Sequence, residues 1–346
     1  MKKINLLLVG LMILTSFFGC GLFFKDKKVE DEIKTDVKVE ESTENEKVVM
    51  SYSEWPPDTI VFLASEKGFF KDHGVDVEVV FVEGYEDLFE KVDNGEIDIW
   101  NNTFFDLVYE VGHGADWQTI LVEDFSYGAD GIVVMEDSGI DTIADLKGKK
   151  VAVEMQTVGD FFLQILLERE NLSADDLTLI DLSAEESATA LINGEVDAAV
   201  TYEPYITETA EEGTKILTDS EREKGLIVDV LVANKNLIPE KKESYKKVIL
   251  GWLDAVDYLN NNPEEAAEIL KDIFGMTTED TVAMFETFKI PNLRDNLTAF
   301  SRGAGFESLY TLGDLSKDYL IDQDMLQEEY EVDEIINDDL IKELNK

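Results

Sequence analysis

The sequence predicts an α/β protein of two lobes, each a mostly parallel sheet flanked by helices. Apolar runs typical of short buried strands alternate with runs at helical spacing along most of the chain. The roughly 300 residues that follow the N-terminal segments are too many for one ordinary core. A Gly-Glu-x-Asp turn occurs twice, at Gly95 and at Gly194, each time between a helical run and a strand. Together these patterns favour two similar lobes.

The N-terminus, residues 1–20, has the pattern of a secretory signal. Two lysines precede an apolar run too short to span a membrane comfortably, and small and aromatic residues lead to Cys20. Residues 17–20, FFGC, resemble a bacterial lipobox, which implies that Cys20 is lipidated and becomes the mature N-terminus. An uncleaved N-terminal anchor is the alternative. Both cases predict an exported, extracytoplasmic protein held at a membrane surface.

The segment after the lipobox, residues 21–47, predicts a flexible tether. It consists mainly of charged and small polar residues, with no aromatic residue after Phe24. Such a segment cannot bury enough apolar surface to offset the entropy lost on ordering. The tether leaves the folded lobes free to reorient near the membrane.

The net charge is strongly negative, because 76 acidic residues stand against 30 basic ones, for a formal charge of −46. The negative electrostatic field of such a chain excludes nucleic acid as a partner and disfavours docking on an anionic lipid surface. The acids are spread along the chain, as in proteins of salt-loving organisms, where high ionic strength screens their repulsion. With Cys20 as the only cysteine, no disulfide within the chain is possible.

The first lobe is predicted from three strands that alternate with three helices. This order implies a parallel sheet with right-handed crossovers. The strands are predicted at residues 48–55, 75–82 and 95–100, and the helices at residues 60–70, 88–92 and 105–111. Ligands of such sheets lie outside the carboxyl ends of the strands. That rule selects Ser53, Glu54 and Trp55, and then Asn102 and Thr103.

The second lobe is organised around residues 145–172, a buried strand at 149–154 followed by a polar loop and a helix. Thr157 and Asp160 have the spacing of a capping box, in which Asp160 accepts from the N–H of Thr157. A helix N-terminus at this place presents backbone donors to a ligand, although the pattern also fits a well-capped turn alone. The repeated Gly-Glu-x-Asp turn makes residues 101–103 and 202–205 equivalent places in the two lobes. A returning strand at 225–238 and helices at 245–260, 263–274, 278–287 and 312–317 complete the chain.

Four segments resemble the substrate-binding proteins of ABC importers, in the group of nitrate, taurine, aliphatic-sulfonate and thiamine-pyrimidine receptors. The segments are ASEKGFFKDHGVDVEV, DLKGKKVAVE, LINGEVDAAVTYEPY and NPEEAA, in that order. The resemblance implies a type II periplasmic-binding-protein fold whose two lobes close over a small solute, a permease as partner, a monomer and no cofactor. It implies lobe 1 at residues 48–135, lobe 2 at 136–232, completion of lobe 1 by the helical residues 233–346, and hinge strands near 135–140 and 229–233.

The same resemblance implies a ligand site built from both lobes. The expected site residues are Trp55, Asn102, Thr103, Thr157, Val158, Gly159, Asp160, Tyr202, Glu203 and Tyr205, together with Tyr127 and Asp229 next to the hinge. Trp55 offers a flat face for a ring or a cation, although it could equally be a partly buried core residue. Glu203 could equally be a solvated surface acid.

None of these site residues is basic, although a bare anion needs a positive pocket. We therefore expect a neutral or cationic nitrogenous ligand, such as an aminopyrimidine, stacked on Trp55 or a tyrosine and held by Glu203 or Asp160. The alternative is that Asp160 turns inward to its own helix cap. The helix donors are then free for an anion such as taurine, an aliphatic sulfonate or nitrate.

An enzyme and a solute sensor are the two other classes of protein to which the sequence could belong. Iron-dependent relatives of the thiamine-pyrimidine receptors use a cysteine-rich motif and histidines, whereas this chain has only Cys20, His73 and His113. One cysteine and two histidines are too few for a metal centre of that kind, and they do not suggest a Ser–His–acid triad. We therefore expect that the protein is not an enzyme. A tethered solute sensor is the remaining alternative, and it requires a separate membrane partner because no signalling domain is attached.

Overall fold

The computed structural model describes residues 47–53, 55–82, 84–326 and 330–345. The predicted signal sequence, the lipidated Cys20 and the predicted tether up to residue 46 lie outside these residues, as does Glu54. Lys47, which the tether prediction included, begins the first strand. Within the described ranges, no helix has both the length and the apolar character needed to cross a membrane.

Two sheets and the helices around them make up the described chain. The strands are β1 (Lys47–Tyr52), β2 (Asp76–Phe81), β3 (Ile99–Thr103), β4 (Trp117–Ser126), β5 (Asp130–Met135), β6 (Lys150–Val153), β7 (Thr178–Asp181), β8 (Ala198–Tyr202), β9 (Thr214–Asp219), β10 (Val228–Asn234) and β11 (Phe288–Lys289). The helices are α1 (Ile60–Lys67), α2 (Phe69–Asp72), α3 (Gly84–Asp93), α4 (Phe104–Gly112), α5 (Val158–Arg169), α6 (Ala184–Ile192), α7 (Tyr205–Ala210), α8 (Ile238–Asn261), α9 (Pro263–Phe274), α10 (Thr278–Phe285), α11 (Leu293–Ala299), α12 (Leu309–Asp322) and α13 (Asp338–Leu344).

The first sheet has the strand order β11-β4-β10-β3-β1-β2. Its half made of β2, β1 and β3 is parallel, and β10 then pairs antiparallel with β3 and with β4. The second sheet has the order β7-β6-β8-β5-β9. Its half made of β7, β6 and β8 is likewise parallel, and β5 pairs antiparallel with β8 and with β9. The two sheets therefore share one strand plan.

The predicted two-sheet α/β architecture is confirmed, with one difference in detail. Each sheet is mixed rather than mostly parallel. In each, the strand that directly follows a crossing from the other sheet runs antiparallel to both of its neighbours. β5 plays this part in the second sheet and β10 plays it in the first. Alternating strands and helices predicted only the parallel halves.

The chain passes between the sheets twice, at residues 127–129 and at residues 220–227. These positions differ from the predicted crossings near 135–140 and 229–233. The strand β5 already belongs to the second sheet, and Asp229 already lies within β10 of the first. The two crossings lie side by side, since the Ser126 and Ser220 hydroxyl oxygens are 2.6 Å apart and the Ser126 N–H donates to the carbonyl of Ile227.

The repeated Gly-Glu-x-Asp turns occupy the same place in both sheets, directly before β3 and directly before β8. Gly95 and Gly194 have nearly equal positive φ angles of 70° and 71°, a conformation that favours glycine. The turns align residues 101–103 with residues 200–202, rather than with 202–205 as predicted.

The aspartate of each turn makes the same contact with the neighbouring parallel strand. Asp98 Oδ2 accepts from the N–H of Val49 on β1 at 3.0 Å, and Asp197 Oδ2 accepts from the N–H of Lys150 on β6 at 2.8 Å. A short sequence repeat thus marks a structural repeat.

The C-terminal helices pack on the first sheet and on the helices around it. The long helix α8 contacts α1, α2, α9 and α13, while α12 packs on α4 and both α11 and α13 contact β4. Trp100, Tyr245 and Trp252 are fully buried in this core. The helices α5, α6 and α7, from residues 158–210, pack on the second sheet.

Candidate functional site

A cavity of about 540 Å³ lies at the carboxyl ends of the parallel strands of both sheets. β1 and β3 contribute residues from the first sheet, and β6 and β8 contribute residues from the second. This is the place where open α/β sheets bind ligands, and the volume suits a small molecule.

Most of the predicted site residues line this cavity. They are Trp55, Asn102, Thr103, Thr157, Val158, Gly159, Tyr202, Tyr205 and Asp229. The structure thus brings together residues at the ends of three strands, at the starts of two helices and near the start of β10. That these residues contact a ligand stays a prediction.

Three predicted site residues lie outside the cavity lining. Both oxygens of Asp160 are used at the start of α5, where they accept from Gln156 N at 3.2 Å and from Gln164 Nε2 at 3.1 Å. Glu203 is only 6% exposed and accepts from the backbone N and the hydroxyl of Thr207 at 3.2 and 3.0 Å. Both carboxylates are therefore bonded within local turns, and Glu203 is not a surface acid. That either of them holds the ligand stays a prediction.

Tyr127 is the third of these residues. It lies in the first crossing and donates its hydroxyl to Glu307 Oε1 at 3.2 Å. Partial burial, helped by the charge of Glu307, raises the pKa of the Tyr127 hydroxyl to about 12. The tyrosine therefore ties the crossing to the C-terminal part of the chain.

The start of α5 differs from the predicted capping box. Thr157 is the N-cap and accepts from the N–H of Gly159 at 3.3 Å. Asp160 accepts from the N–H of Gln156, not from that of Thr157. The helix start still faces the cavity through Val158 and Gly159, so backbone donors are near the ligand space.

Trp55 connects the two sheets at one side of the cavity. Its ring meets the rings of Tyr202 and Phe288 edge-on, with centroid distances of 5.5 and 5.1 Å. Its Nε1 donates to Asp124 Oδ2 at 3.1 Å. The tryptophan is held on three sides, so it is a rigid aromatic wall of the cavity.

The cavity is acidic, and sequence reasoning missed most of its acids. Besides Asp229, the lining acids are Asp58, Asp106, Asp130, Glu154 and Glu185. Among the residues that the structure describes, no lysine, arginine, histidine or cysteine lines the cavity. In a chain so rich in acids, no local pattern distinguishes these six. Only position along the chain could have indicated one of them, because Glu154 lies at the end of a predicted strand, where ligands of such sheets bind.

Five buried carboxylates form what we call the hinge carboxylate cluster: Asp58, Glu123, Asp124, Asp130 and Asp229. None of the five is more than 7% exposed. Asp58 Oδ2 accepts from the backbone N and the hydroxyl of Ser53 at 2.8 and 2.7 Å. Glu123 Oε2 accepts from Asn101 Nδ2 at 2.7 Å. These few donors leave one oxygen of Glu123, of Asp124 and of Asp130 without a donor.

Burial without a compensating cation keeps protons on this cluster. Burial raises the pKa of Asp58 to about 7 and that of Asp130 to about 7. Burial also raises the pKa of Glu123, Asp124 and Asp229 well above the usual carboxyl range, and the charges of neighbouring carboxylates add to the effect. Near neutral pH the cluster is therefore partly protonated and can both donate and accept hydrogen bonds.

Asn102 presents a free amide to the cavity. It is only 4% exposed, yet neither Nδ2 nor Oδ1 has a hydrogen-bond partner among the described residues. A buried amide without partners is costly, and such groups call for an explanation. Asn102 can offer one donor and one acceptor to a molecule in the cavity.

The described residues contain no group of three or more His, Cys, Asp or Glu side chains arranged to hold a metal ion. His73 lies at the surface, 2.7 Å from Asp254, and His113 contacts the carbonyl of Tyr109 at 2.8 Å. Neither histidine lines the cavity. The chemistry available there is hydrogen bonding, carboxylate charge and aromatic contact.

Comparison with known proteins places the chain in a family of related sequences. A family model described as "NMT1/THI5 like" matches residues 55–266. A Bacillus subtilis protein whose name assigns it to aliphatic sulfonate binding is 28% identical over 218 residues, which is 62% of this chain and 66%, just under two thirds, of that relative. A Candida albicans protein named 4-amino-5-hydroxymethyl-2-methylpyrimidine phosphate synthase is 27% identical over 60% of this chain and 64% of its own length.

The fold is also found in solved structures. The periplasmic aliphatic sulphonate binding protein SsuA from Escherichia coli superposes with a TM-score of 0.72 at 18% sequence identity, covering 86% of this chain and 99% of that chain. An identity this low shows a shared fold and carries no information on the ligand.

Proposed function

Because the chain belongs to the NMT1/THI5-like family, we propose that it is the solute-binding protein of an ABC importer. It captures a small molecule between its two sheets and delivers it to a permease. Support comes from the cavity at the strand ends of both sheets and from the sulfonate-binding protein with the same fold. Ligand contacts from both sides favour the closed form of such a protein.

The solute we propose is small and nitrogenous, and it is neutral or positively charged. The observation that carries this proposal is the lining, in which six carboxyl side chains stand without a basic residue among the described ones. A desolvated cation gains from these carboxylates, while Asn102 and protonated carboxyls can bond to the edge of an amine-bearing ring. An aminopyrimidine fits this description.

A sulfonate is the second candidate, and the name of the Bacillus subtilis relative favours it. The cavity lining reaches the N-terminal ends of α4, α5 and α6, where backbone N–H groups can meet an anion. The surrounding carboxyl groups oppose an anion there. We therefore place the sulfonate second.

A binding role is proposed rather than catalysis, although one relative is named for a synthase. The cavity lining in the described residues lacks the histidine and cysteine that most nucleophilic and acid–base mechanisms use. A solute sensor that signals to a membrane partner has the same binding requirements as an importer receptor. Only loss of solute uptake on deletion of the protein separates the two roles.

We further propose that the protein is exported and works as a monomer tethered to the membrane through Cys20. The sequence of residues 1–20 supports this proposal. Mass spectrometry of the mature N-terminus tests it, because lipidation adds a defined mass to Cys20.

A calorimetric binding screen at high salt tests the ligand class. The panel contains aminopyrimidines, thiamine, polyamines, nitrate and bicarbonate, and it pairs each alkylamine with the alkanesulfonate of equal chain length. We expect binding of a nitrogenous base and no binding of its sulfonate partner. Binding of the sulfonate instead contradicts the acidic-site argument but leaves the receptor role intact.

The variant Asn102→Ala makes the screen specific for the cavity. Because the solute loses a buried hydrogen-bonding partner, its affinity should fall by about 10- to 100-fold. The control Asn193→Ala removes an exposed amide at the end of α6 and should leave binding unchanged. Equal affinities for both variants contradict a role of this cavity.

A further inference from the structure

Asp130 and Asp229 occupy matching places at the two crossings. Asp130 is the first residue of β5, directly after residues 127–129, and Asp229 is the second residue of β10, directly after residues 220–227. The two side chains belong to different sheets and line the same cavity. Any group bound to both of them therefore joins the two sheets at the hinge.

The hinge carboxylate cluster contains no counter-charge of its own. Within the described chain, no ion pair involves any of its five members. The basic residue on the adjoining edge strand, Lys289 of β11, contacts Glu307 and Asp295 instead. Carboxylates this buried cannot all ionise in the empty protein, because each charge opposes the next.

Asn102 gives an independent indication that a ligand belongs here. Its amide is more than nine-tenths buried, lines the same cavity and has no partner in the described chain. Asn102 pairs with Val230 on β10, the residue after Asp229. One free oxygen of Asp130 is also buried without a donor. These unsatisfied atoms adjoin the crossings and not the outer part of the cavity.

We propose that the positively charged group of the solute binds at the hinge between Asp130 and Asp229, in exchange for protons held by the hinge carboxylate cluster. This inference rests on the proposed function and narrows it to a cationic solute. Asn102 accepts from or donates to the polar atoms next to the charge.

The exchange is balanced in charge. In the empty protein a carboxyl O–H of the cluster keeps its proton. When an ammonium group arrives, that proton leaves to water and the carboxylate accepts an N–H from the solute. The net charge of the buried site stays nearly constant, so closure of the two sheets does not bury an uncompensated charge.

The direction of the pH dependence follows from linkage. The raised pKa values of Asp58 and Asp130, each about 7, mean that protons compete with the cation below neutral pH. Affinity should rise about tenfold for each pH unit between pH 5.5 and pH 7 if one proton leaves, and it should level off above that range. Besides the cluster, the charge of Glu203 after β8 acts on Asp130. The other titratable groups that line the cavity are Asp106, Glu154, Glu185, Tyr202 and Tyr205.

The test uses purified protein at fixed high salt, with putrescine as the cationic probe and the uncharged diol of the same chain length as its match. Calorimetry at pH 6.5 in two buffers of different ionisation heat gives the number of protons released. We expect about one proton released for each putrescine bound, and no proton release with the diol. Dissociation constants from pH 5.5 to pH 8 give the slope independently.

The isosteric variants Asp130→Asn and Asp229→Asn locate the site. Each should weaken putrescine binding at pH 8 by at least about tenfold and reduce the number of protons released. Asp160→Asn is the matched control, because Asp160 is equally buried, lies outside the cavity lining and is bonded to Gln156 and Gln164 around the start of α5. The variants remove buried charge and should fold, and melting curves at pH 8 verify this before binding is measured.

The outcomes separate this inference from the proposed function. If putrescine binds without proton release and its affinity does not change with pH, the proton exchange is wrong, but the protein is still a receptor for a cation. Binding of a neutral or anionic solute only, without putrescine, overturns the exchange and leaves a solute receptor. An effect of Asp160→Asn equal to that of Asp229→Asn also overturns the assignment.

Discussion

The two sheets share a strand plan and differ in what their strand ends carry. In the first sheet the cavity is lined by polar side chains of β1 and β3, such as Ser51, Asn101 and Asn102. At the corresponding ends in the second sheet, the lining residues include Val153 and Val200. The repeat in topology therefore fixes where the site lies, while the differences in side chains decide what it recognises. The acids divide evenly, because Asp58, Asp106 and Asp229 come from the first sheet and the segments packed on it, and Asp130, Glu154 and Glu185 come from the second. The second sheet also adds apolar surface at the ends of β6 and β8.

The largest effect should come from the acids of the first sheet. We expect the double variant Asp58→Asn with Glu123→Gln to be more stable than the parent at pH 8 by about 2–4 kcal/mol. Burial raises the pKa of Asp58 to about 7 and that of Glu123 well above its usual range. The unfolded chain therefore releases these protons first as the pH rises from about 4 to 7, and the parent loses stability over that range.

Urea unfolding at pH 5, 6, 7 and 8 in constant salt measures this effect. Glu195→Gln, which removes an exposed carboxylate in the second-sheet turn, is the control for net charge. If the free energy of unfolding of the parent does not fall between pH 5 and pH 8, the hinge carboxylate cluster does not hold protons in the folded protein.

The turn aspartates should show an intermediate and unequal effect. Asp98→Ala should cost about 2–3 kcal/mol, because it leaves the half-buried N–H of Val49 and the ammonium of Lys241 without their partner. Asp197→Ala should cost about 1 kcal/mol, since water can replace it at the exposed Lys150. Thermal and urea unfolding of both variants gives the comparison. Equal costs show that the two turns are alike in energy as well as in geometry.

The turn glycines should show the smallest effect, equal in both sheets. Gly95→Ala and Gly194→Ala should each cost about 1 kcal/mol, because a side chain is disfavoured at their positive φ angles while no atom lies within 4 Å of the new methyl group. The same unfolding experiments apply. A difference of more than about 0.5 kcal/mol between the two means that the turns are not equivalent.

The fold was predictable from the sequence because its signals are local and repeated. The apolar run of β6, the helical spacing of α5 and the two Gly-Glu-x-Asp turns each depend on a few neighbouring residues. The crossings were misplaced because they depend on pairing between distant strands. β5 looks like a continuation of the first half until its partners β8 and β9 are known.

The candidate site was only partly predictable, for a physical reason. Strand-end positions such as Asn102 and Tyr202 follow from the rule for parallel sheets, and they do line the cavity. Glu123 and Asp124 lie within β4, where an apolar residue is the usual expectation. Buried acids do not follow a pattern of hydrophobicity, so only the structure reveals them.

The order in which the two sheets can form follows from where their strands lie along the chain. The second sheet uses one continuous stretch, residues 130–219, whereas the first needs β10 inserted between β3 and β4. Until residues 228–234 arrive, β3 and β4 expose unpaired edges, and sheets with such distant pairings form slowly. The chain is synthesised N-terminus first, so its early strands must wait for partners that come later. Asp229 arrives on that last central strand, so the proposed solute site is among the last parts of the fold to be completed.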